Sequence, residues 1–553
     1  MIPRVFAFAA LSGPLPKLGV VVLAGLVAGA LLSRARRMGA LAMLSAIVLA
    51  PVLLLADIWR SSQLGVVHRH PLLAVTGAVV ALALVGVLAY SIDRRPALLG
   101  ALAVLALPFR IPIATGGSTK NLLLPLYLVV AAGAAAFIVP ALRGRGKDEA
   151  QRGHGKDEAQ RGHREDEARR DHGDRSQAAE RNWTERLLAL YVVLYSLQSV
   201  YSAGFETALT NMVFFYVPFA LLFCLLRRLH WTPRLLRTCL LICAGLAVAF
   251  AAVGFAEYAT KTIILNPKLV VTNDLHAYFT VNSVFFDPDI FGRFLALVMI
   301  LLAAVLLNAR RPRVQWRAMA VLALLWAGLV LTLSRSSLSA LLVGLGVLAA
   351  LRFRASRALV VAAAVIALGA AAVAVSPRTF GLNQGLNGAS SGRAGLVGGG
   401  LSLFGDRPGW GFGSGSFVTE YSAQHRAPSQ NLAASHTIAI TIAAEQGLIG
   451  ELPYVALVLV AAIALLRGAR SDPVRAAIAA AFIALVFHTL LYADFLEDPV
   501  TWTLLGVGVG ACRASALRAR LEPRAGREPG AGWGADGASG VMTRHAATVR
   551  ILT

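Results

Sequence analysis

Apolar residues along this chain fall in long runs, bounded by charged or Pro/Gly-rich punctuation, at about 18–33, 39–58, 71–91, 97–109, 121–142, 186–201, 209–226, 235–256, 290–307, 317–333, 338–351, 358–375, 451–466, 474–492 and 499–512. About 20 apolar residues make a helix long enough to cross a bilayer. The pattern therefore predicts an all-α fold: a polytopic integral membrane bundle of about 12–15 transmembrane helices with one large extracytoplasmic loop. The run at 97–109 is short enough to be a broken helix, so fifteen spans is a working count.

Charge orients the bundle. Six short connections, at 34–37, 94–95, 227–237, 310–317, 352–357 and 467–475, hold 19 Arg, whereas the short connections on the opposite side hold seven basic residues. Basic residues concentrate in cytoplasmic loops, which puts the Arg-rich connections and the C-terminal tail inside. The chain then divides into N-terminal transmembrane helices (1–142), a cytoplasmic charged repeat linker (143–182), a transmembrane core (183–512) that includes the extracytoplasmic loop 376–434, and a disordered cytoplasmic tail (513–553). The expected setting is a bacterial cytoplasmic (inner) membrane.

Composition agrees with this and removes other classes. The chain is 57% hydrophobic and 15% charged, with a mean hydropathy of +0.67, which excludes one large water-soluble enzyme. A net charge of +23 would suggest a nucleic-acid partner in a soluble protein; here the loop asymmetry accounts for it, and no nucleic-acid partner is expected. Arg supplies 46 of the 52 basic residues, a usage typical of a GC-rich bacterial genome. Cys224, Cys239, Cys243 and Cys512 lie in or beside apolar runs without metal-type spacing and read as packing residues. Met1–Lys17, with Pro14 and Pro16, does not read as a cleavable signal peptide. Within 143–182, GKDEAQRGH occurs at 146–154 and again at 155–163, and 11 basic side chains offset 10 acidic ones. That is a solvated polyampholyte, and its His154, His163 and His172 do not share a helical face.

Candidate chemistry gathers toward the outer side. Arg335 sits in LTLSRSSLSALL, a helix–helix turn so tight that Ser334-Arg335-Ser336 forms its tip or lies just inside the membrane. A charge at that depth requires a partner. Arg293 follows Asp287-Pro288-Asp289 in FFDPDIFGRF; both carboxylates are expected to cap the next helix rather than to hold a metal. Arg393 precedes FGDRPGWGFGSGSF at 404–417, whose five glycines are expected to allow close backbone approach to a ligand beside Trp410 and Phe412. It is not a P-loop, because the Gly-Lys-Ser/Thr ending is absent. His436 follows in SHTIAITIAAEQGLIGEL, with Ser435 as the expected N-cap. Imidazole titrates near neutrality and can take a proton from a hydroxyl. Guanidinium groups suit phosphates as planar, bidentate donors.

The tract from about 285 to 466 resembles the O-antigen ligase and O-antigen polymerase superfamily of bacterial polytopic membrane proteins. The resemblance is carried by Ser334-Arg335, Arg393, RPGWGFGSGSF at 407–417, SHTIAITIAAEQGLIG at 435–450 and DPDIFG at 287–292; at Thr437 the family commonly has Asn. The resemblance implies a membrane glycosyltransferase that moves a glycan from an undecaprenyl-pyrophosphate donor to an acceptor hydroxyl on a glycan, lipid or protein. It further implies action on the outer face, without a cofactor, metal or nucleotide sugar. Carried over by residue, His436 is the base, Arg335 and Arg393 hold the pyrophosphate, Arg293 is a further phosphate contact, and Glu445 is structural. The alternative class is a transporter or flippase of lipid-linked sugars. Such proteins place polar sites near the bilayer midplane, often between repeats, whereas the only repeat here is the GKDEAQRGH tandem and the polar cluster is outward.

Overall fold

The computed structural model describes residues 14–58, 69–115, 118–144, 183–265, 279–353, 393–425, 437–492 and 494–521, together with positions 269, 270, 273 and 435. The N-terminal group comprises α1 (Leu15–Leu32), α2 (Arg36–Ile58), α3 (Pro71–Arg94), α4 (Ala97–Ala106), a β1–β2 hairpin (Ile111–Thr115, Ser118–Leu122) and α5 (Leu124–Leu142). After the linker come α6 (183–199), α7 (Phe205–Leu226), α8 (Pro233–Thr260), α9 (Pro288–Asn308), α10 (Pro312–Leu331) and α11 (Arg335–Arg352). The last group is α12 (Arg393–Asp406), α13 (Phe417–His425), α14 (Ile438–Leu466), α15 (Pro473–Leu491) and α16 (Pro499–Leu521). Among the described residues 11 helices are long and apolar enough to cross a membrane, so the chain forms the all-α polytopic bundle that its apolar runs predict. The run at 358–375 lies outside the described residues, as do 145–182, 376–392, 426–434 and the tail beyond 521.

Local chemistry sets the helix starts. α3, α8, α9, α10, α15 and α16 each begin at a proline, whose fixed φ suits the first turn and whose missing N–H costs nothing there. Thr232 and Asp472 precede two of these prolines and accept backbone N–H bonds from Leu235 and Val474 at 3.2 and 2.9 Å, which satisfies donors that a helix start leaves open.

Two elements differ from the expected pattern. The 97–109 run yields only the ten-residue α4, about 15 Å of helix and too short to cross the ~30 Å hydrocarbon core. Pro108 follows, and the chain turns into an antiparallel hairpin with Ile111 opposite Leu122. The 451–466 run instead extends back to Ile438, across a break at Gly447 (φ 60°, ψ −162°).

Buried apolar side chains form two main clusters, one joining α1, α2, α5, α6, α7 and α16 and the other joining α8 to α11 with α15. The ends of the helices define the two sides of the bundle. α7 runs from Gly204, whose Cα neighbourhood is filled by the Gly415 carbonyl, to Arg227 beside the end of α1. At 1.5 Å per residue that is about 33 Å. The Gly415 loop and the α1–α2 turn therefore lie at opposite ends.

Candidate functional site

The turn between α10 and α11 is built by Thr332, Leu333 and Ser334, with Leu333 in the left-handed region (φ 51°). Ser334 caps α11, its Oγ accepting the Ser337 N–H at 3.2 Å. This places Arg335 in the first turn of α11, exposed at the tip. The start of α9 packs directly against this turn. A side chain at Gly292 would meet Ser337 Oγ at 2.8 Å and Thr332 Oγ1 at 3.1 Å, so the glycine of DPDIFG is what lets the serine-rich turn approach.

The two aspartates separate in role. Asp287 is the N-cap of α9, accepting the Asp289 N–H at 2.7 Å. Asp289 is not a second cap. Its carboxylate accepts from the Ser334 hydroxyl, from Ser336 Oγ at 2.9 Å and from Arg393 Nη2 at 3.1 Å, because Gly292 brings the turn within reach. Arg393, at the head of α12, also donates to the Leu491 carbonyl at the end of α15 (3.0 Å), and its side chain remains 34% exposed. It thus ties α9, α12 and α15 together while still facing solvent.

Two residues absent from the sequence reading complete this cluster. His488 of α15 is buried, with Nε2 at 3.3 Å from Ser336 Oγ and 3.2 Å from Ser337 Oγ. The Ser336 proton goes to Asp289 Oδ1 and the Ser337 proton to the Asp289 carbonyl. The ring nitrogen is therefore the donor in this contact, which assigns the Nε2–H tautomer. Tyr492 donates its hydroxyl to Asp287 Oδ2 at 2.8 Å. Burial, and then the neighbouring Asp289 charge, push the Asp287 carboxyl above its ordinary range; burial, and then the Asp287 charge, push the Tyr492 hydroxyl well up. The available sequence signal was a histidine inside an apolar span, which by itself marks a site worth testing.

Arg293 stands one helical turn beyond Asp289. It is buried and paired with Asp498 through Nη2 and Oδ2 at 2.6 Å, while Asp498 Oδ1 accepts the Val500 N–H at the head of α16 (2.8 Å). This ion pair forms part of the wall of an otherwise largely apolar cavity between α4, α8, α9, α15 and α16, whose other lining residues include Arg110, Leu240, Phe285 and Phe294.

Gly411, Gly413 and Gly415 of the glycine-rich segment are packed into the fold. Their close backbone approaches are to the protein itself. A side chain at Gly411 (φ 68°) would come within 2.3 Å of the Glu445 backbone, one at Gly413 (φ 100°) within 2.6 Å of Ser202 Cα, and one at Gly447 within 2.5 Å of Gly409. The break at Gly447 frees backbone groups that 408–413 then satisfies. Phe412 and Gly413 donate to the Ala444 and Glu445 carbonyls at 3.2 and 2.7 Å, while Leu448 and Ile449 donate to the Pro408 and Gly409 carbonyls at 2.8 and 3.2 Å. The Glu445 carboxylate accepts from the Gly415 and Phe417 N–H groups at 2.8 and 3.0 Å. RPGWGFGSGSF and EQGLIG are two halves of one joint. Trp410 itself stays 69% exposed.

His436 lies outside the described residues; Ser435 and Thr437 on either side of it are described. The N-cap of α14 is Thr437, not Ser435. The Ser435 hydroxyl instead pins the entry to the helix, donating to the Thr437 carbonyl at 2.6 Å and accepting the Thr437 N–H at 3.2 Å. α12 packs beside this entry, since a side chain at Gly400 would touch Ile440 at 2.5 Å. Arg393 and the start of α14 are therefore joined by two turns of one helix.

Residues 318–455 match the family model for O-antigen ligase. The match runs from α10 into α14. It includes Arg335, Arg393, the glycine-rich joint and His436, and leaves Asp287–Arg293 and His488–Asp498 outside. No curated protein matches the chain. The 318–455 tract of this polytopic membrane protein thus carries the domain of the O-antigen ligase and polymerase superfamily, which supports a role in ligating or polymerising surface polysaccharide.

Proposed function

We propose that the protein transfers a glycan from an undecaprenyl-pyrophosphate donor to an acceptor hydroxyl at the extracytoplasmic face of a bacterial cytoplasmic membrane, without a metal or nucleotide sugar. The observation that carries this reading is the placement of Arg393. It is held by Asp289 at 3.1 Å yet 34% exposed, and the same carboxylate accepts from Ser334 and Ser336, the neighbours in sequence of the exposed Arg335, where helix ends from α9, α11, α12 and α15 converge. In this mechanism the His436 imidazole takes the acceptor hydroxyl proton as the oxygen attacks the anomeric carbon. The bond from that carbon to the pyrophosphate breaks, and the lipid pyrophosphate departs with the electron pair. Arg335 and Arg393 offset its charge, a stabilisation that counts most where charge develops. Arg293, already committed to Asp498, holds the frame beside the apolar cavity, and that cavity suits the donor's hydrocarbon chain.

The test is purified protein in detergent with a lipid-pyrophosphate glycan and a suitable acceptor. Wild type is expected to form product, and His436→Ala to lose roughly 10²–10⁴ in rate at equal folded yield and with donor binding kept. Undiminished transfer by the variant would sink the base assignment. No product from wild type, combined with donor movement across sealed vesicles, would favour a flippase.

A further inference from the structure

At the end of the bundle opposite the Asp289–Arg393 cluster, the last turn of α1, the start of α6 and the end of α7 enclose a polar cavity of about 670 Å³ lined by Ser33, Arg34, Glu185, Arg186, Arg227 and Arg228. Four guanidinium groups share it with one carboxylate. Arg227 is built into its wall, with Nη1 at 2.8 Å from Glu185 Oε1, Nη2 donating to the Leu31 carbonyl at 2.7 Å, and the Phe223 ring 5.4 Å away. Arg228 lies over Phe137 at 4.2 Å, and Arg36 lies over the same ring at 5.7 Å. Arg34 and Arg186 are exposed at its mouth.

Arginines that only follow the loop-charge bias spread over the surface, where water screens them. Here they line one cavity, with Arg186, Arg227 and Arg228 over aromatic rings and Arg227 also on a helix-end carbonyl, and such crowding of like charge is relieved by an anion. The cavity sits where the apolar spans Leu15–Leu32 and Phe205–Leu226 end, at the depth of lipid headgroups. Leu32 at its rim is 46% exposed and apolar.

We propose that this cavity binds the phosphate of an anionic phospholipid headgroup, which bridges α1, α6 and α7. Planar guanidinium donors match phosphate oxygens, and basic pockets between transmembrane helices take such headgroups. The site is independent of the transfer chemistry at the other end of the bundle.

Native mass spectrometry of the full chain, exchanged into phosphatidylglycerol or phosphatidylcholine, tests it. Wild type should retain phosphatidylglycerol over phosphatidylcholine. Arg34→Ala with Arg186→Ala should reduce the retained phosphatidylglycerol by about fivefold per arginine. Arg310→Ala with Arg311→Ala, two exposed arginines between α9 and α10, should leave it unchanged. Equal loss in both pairs, or no preference in wild type, would overturn the site. Inorganic phosphate is the second probe. If it binds wild type and not the Arg34/Arg186 variant, while phosphatidylglycerol fails to compete, the ligand is a soluble anion and the lipid assignment falls. Thermal unfolding is recorded for each variant, and Arg186→Gln alone carries the test if the double variant yields less folded protein.

Discussion

Around Asp289 three donors meet one carboxylate: the hydroxyls of Ser334 and Ser336 and the guanidinium of Arg393. Asp289→Asn keeps an acceptor for the serines and removes the charge that fixes Arg393. A charge-assisted hydrogen bond contributes roughly 1.5–3 kcal/mol, so transfer by Asp289→Asn is expected to fall about 10- to 100-fold, and Arg393→Lys by a similar factor because an ammonium has no planar fork. Rates of product formation at matched folded yield check this; unchanged rates in both variants would remove Arg393 from phosphate binding. Asp287 gives a pH prediction. Its carboxyl is raised by burial and by the Asp289 charge, so the folded state holds the proton more tightly than the unfolded chain. Stability from this group is fully present below the ordinary carboxylate range and is lost as pH rises through the raised value. Asp287→Asn retains the cap and does not titrate. Its Tm relative to wild type should therefore climb across that window, and a constant difference would show that Asp287 does not titrate there.

Among the elements, the broken helix α14 is the most informative. Gly447 interrupts it, and the segment 408–413 supplies the hydrogen bonds that the break exposes. Gly411→Ala puts a methyl 2.3 Å from the Glu445 backbone at a φ of 68°. Left-handed strain alone costs about 1–3 kcal/mol, and the overlap adds to it, so the folded yield should drop sharply. Gly398→Ala, in the middle of α12 with nothing within 4 Å of the added carbon, should instead raise stability by up to about 1 kcal/mol. Thermal unfolding in detergent compares the pair; equal effects would show that the joint is not rigid. The spacing of the glycines marked this segment as special in the sequence. That Gly411, Gly413 and Gly415 lie against the chain's own backbone depends on which backbone lies opposite, and no local pattern carries that information.

For the whole molecule, the loop-charge asymmetry predicts that 143–182 and 513–553 are cytoplasmic and 376–434 is outside. In intact cells an impermeant thiol reagent should label Ser390→Cys and leave Ser176→Cys unlabelled; the reverse would invert the bundle and take the Asp289–Arg393 cluster off the outer face. The structure adds a geometric basis for asking this. The starts of α9, α11 and α12 and the ends of α10 and α15 meet in one cluster, while the arginines of the α1–α2 turn and the end of α7 collect at the other end.

Sequence alone determined that this chain is a polytopic helical bundle, because the length of an apolar run and the position of a proline are local quantities that a bilayer and a backbone read directly. It also showed the family motifs, which are runs of adjacent residues. Only the tertiary structure decided what those motifs touch. Asp289 became the anchor of Arg393 rather than a cap, Arg293 was drawn into an ion pair with Asp498, and His488 and Tyr492 joined a cluster whose other members lie some 90 to 200 residues away. The reason is that partners in a membrane bundle are set by which helix ends come together across the fold. That depends on packing among small residues such as Gly292, and not on any pattern within one helix.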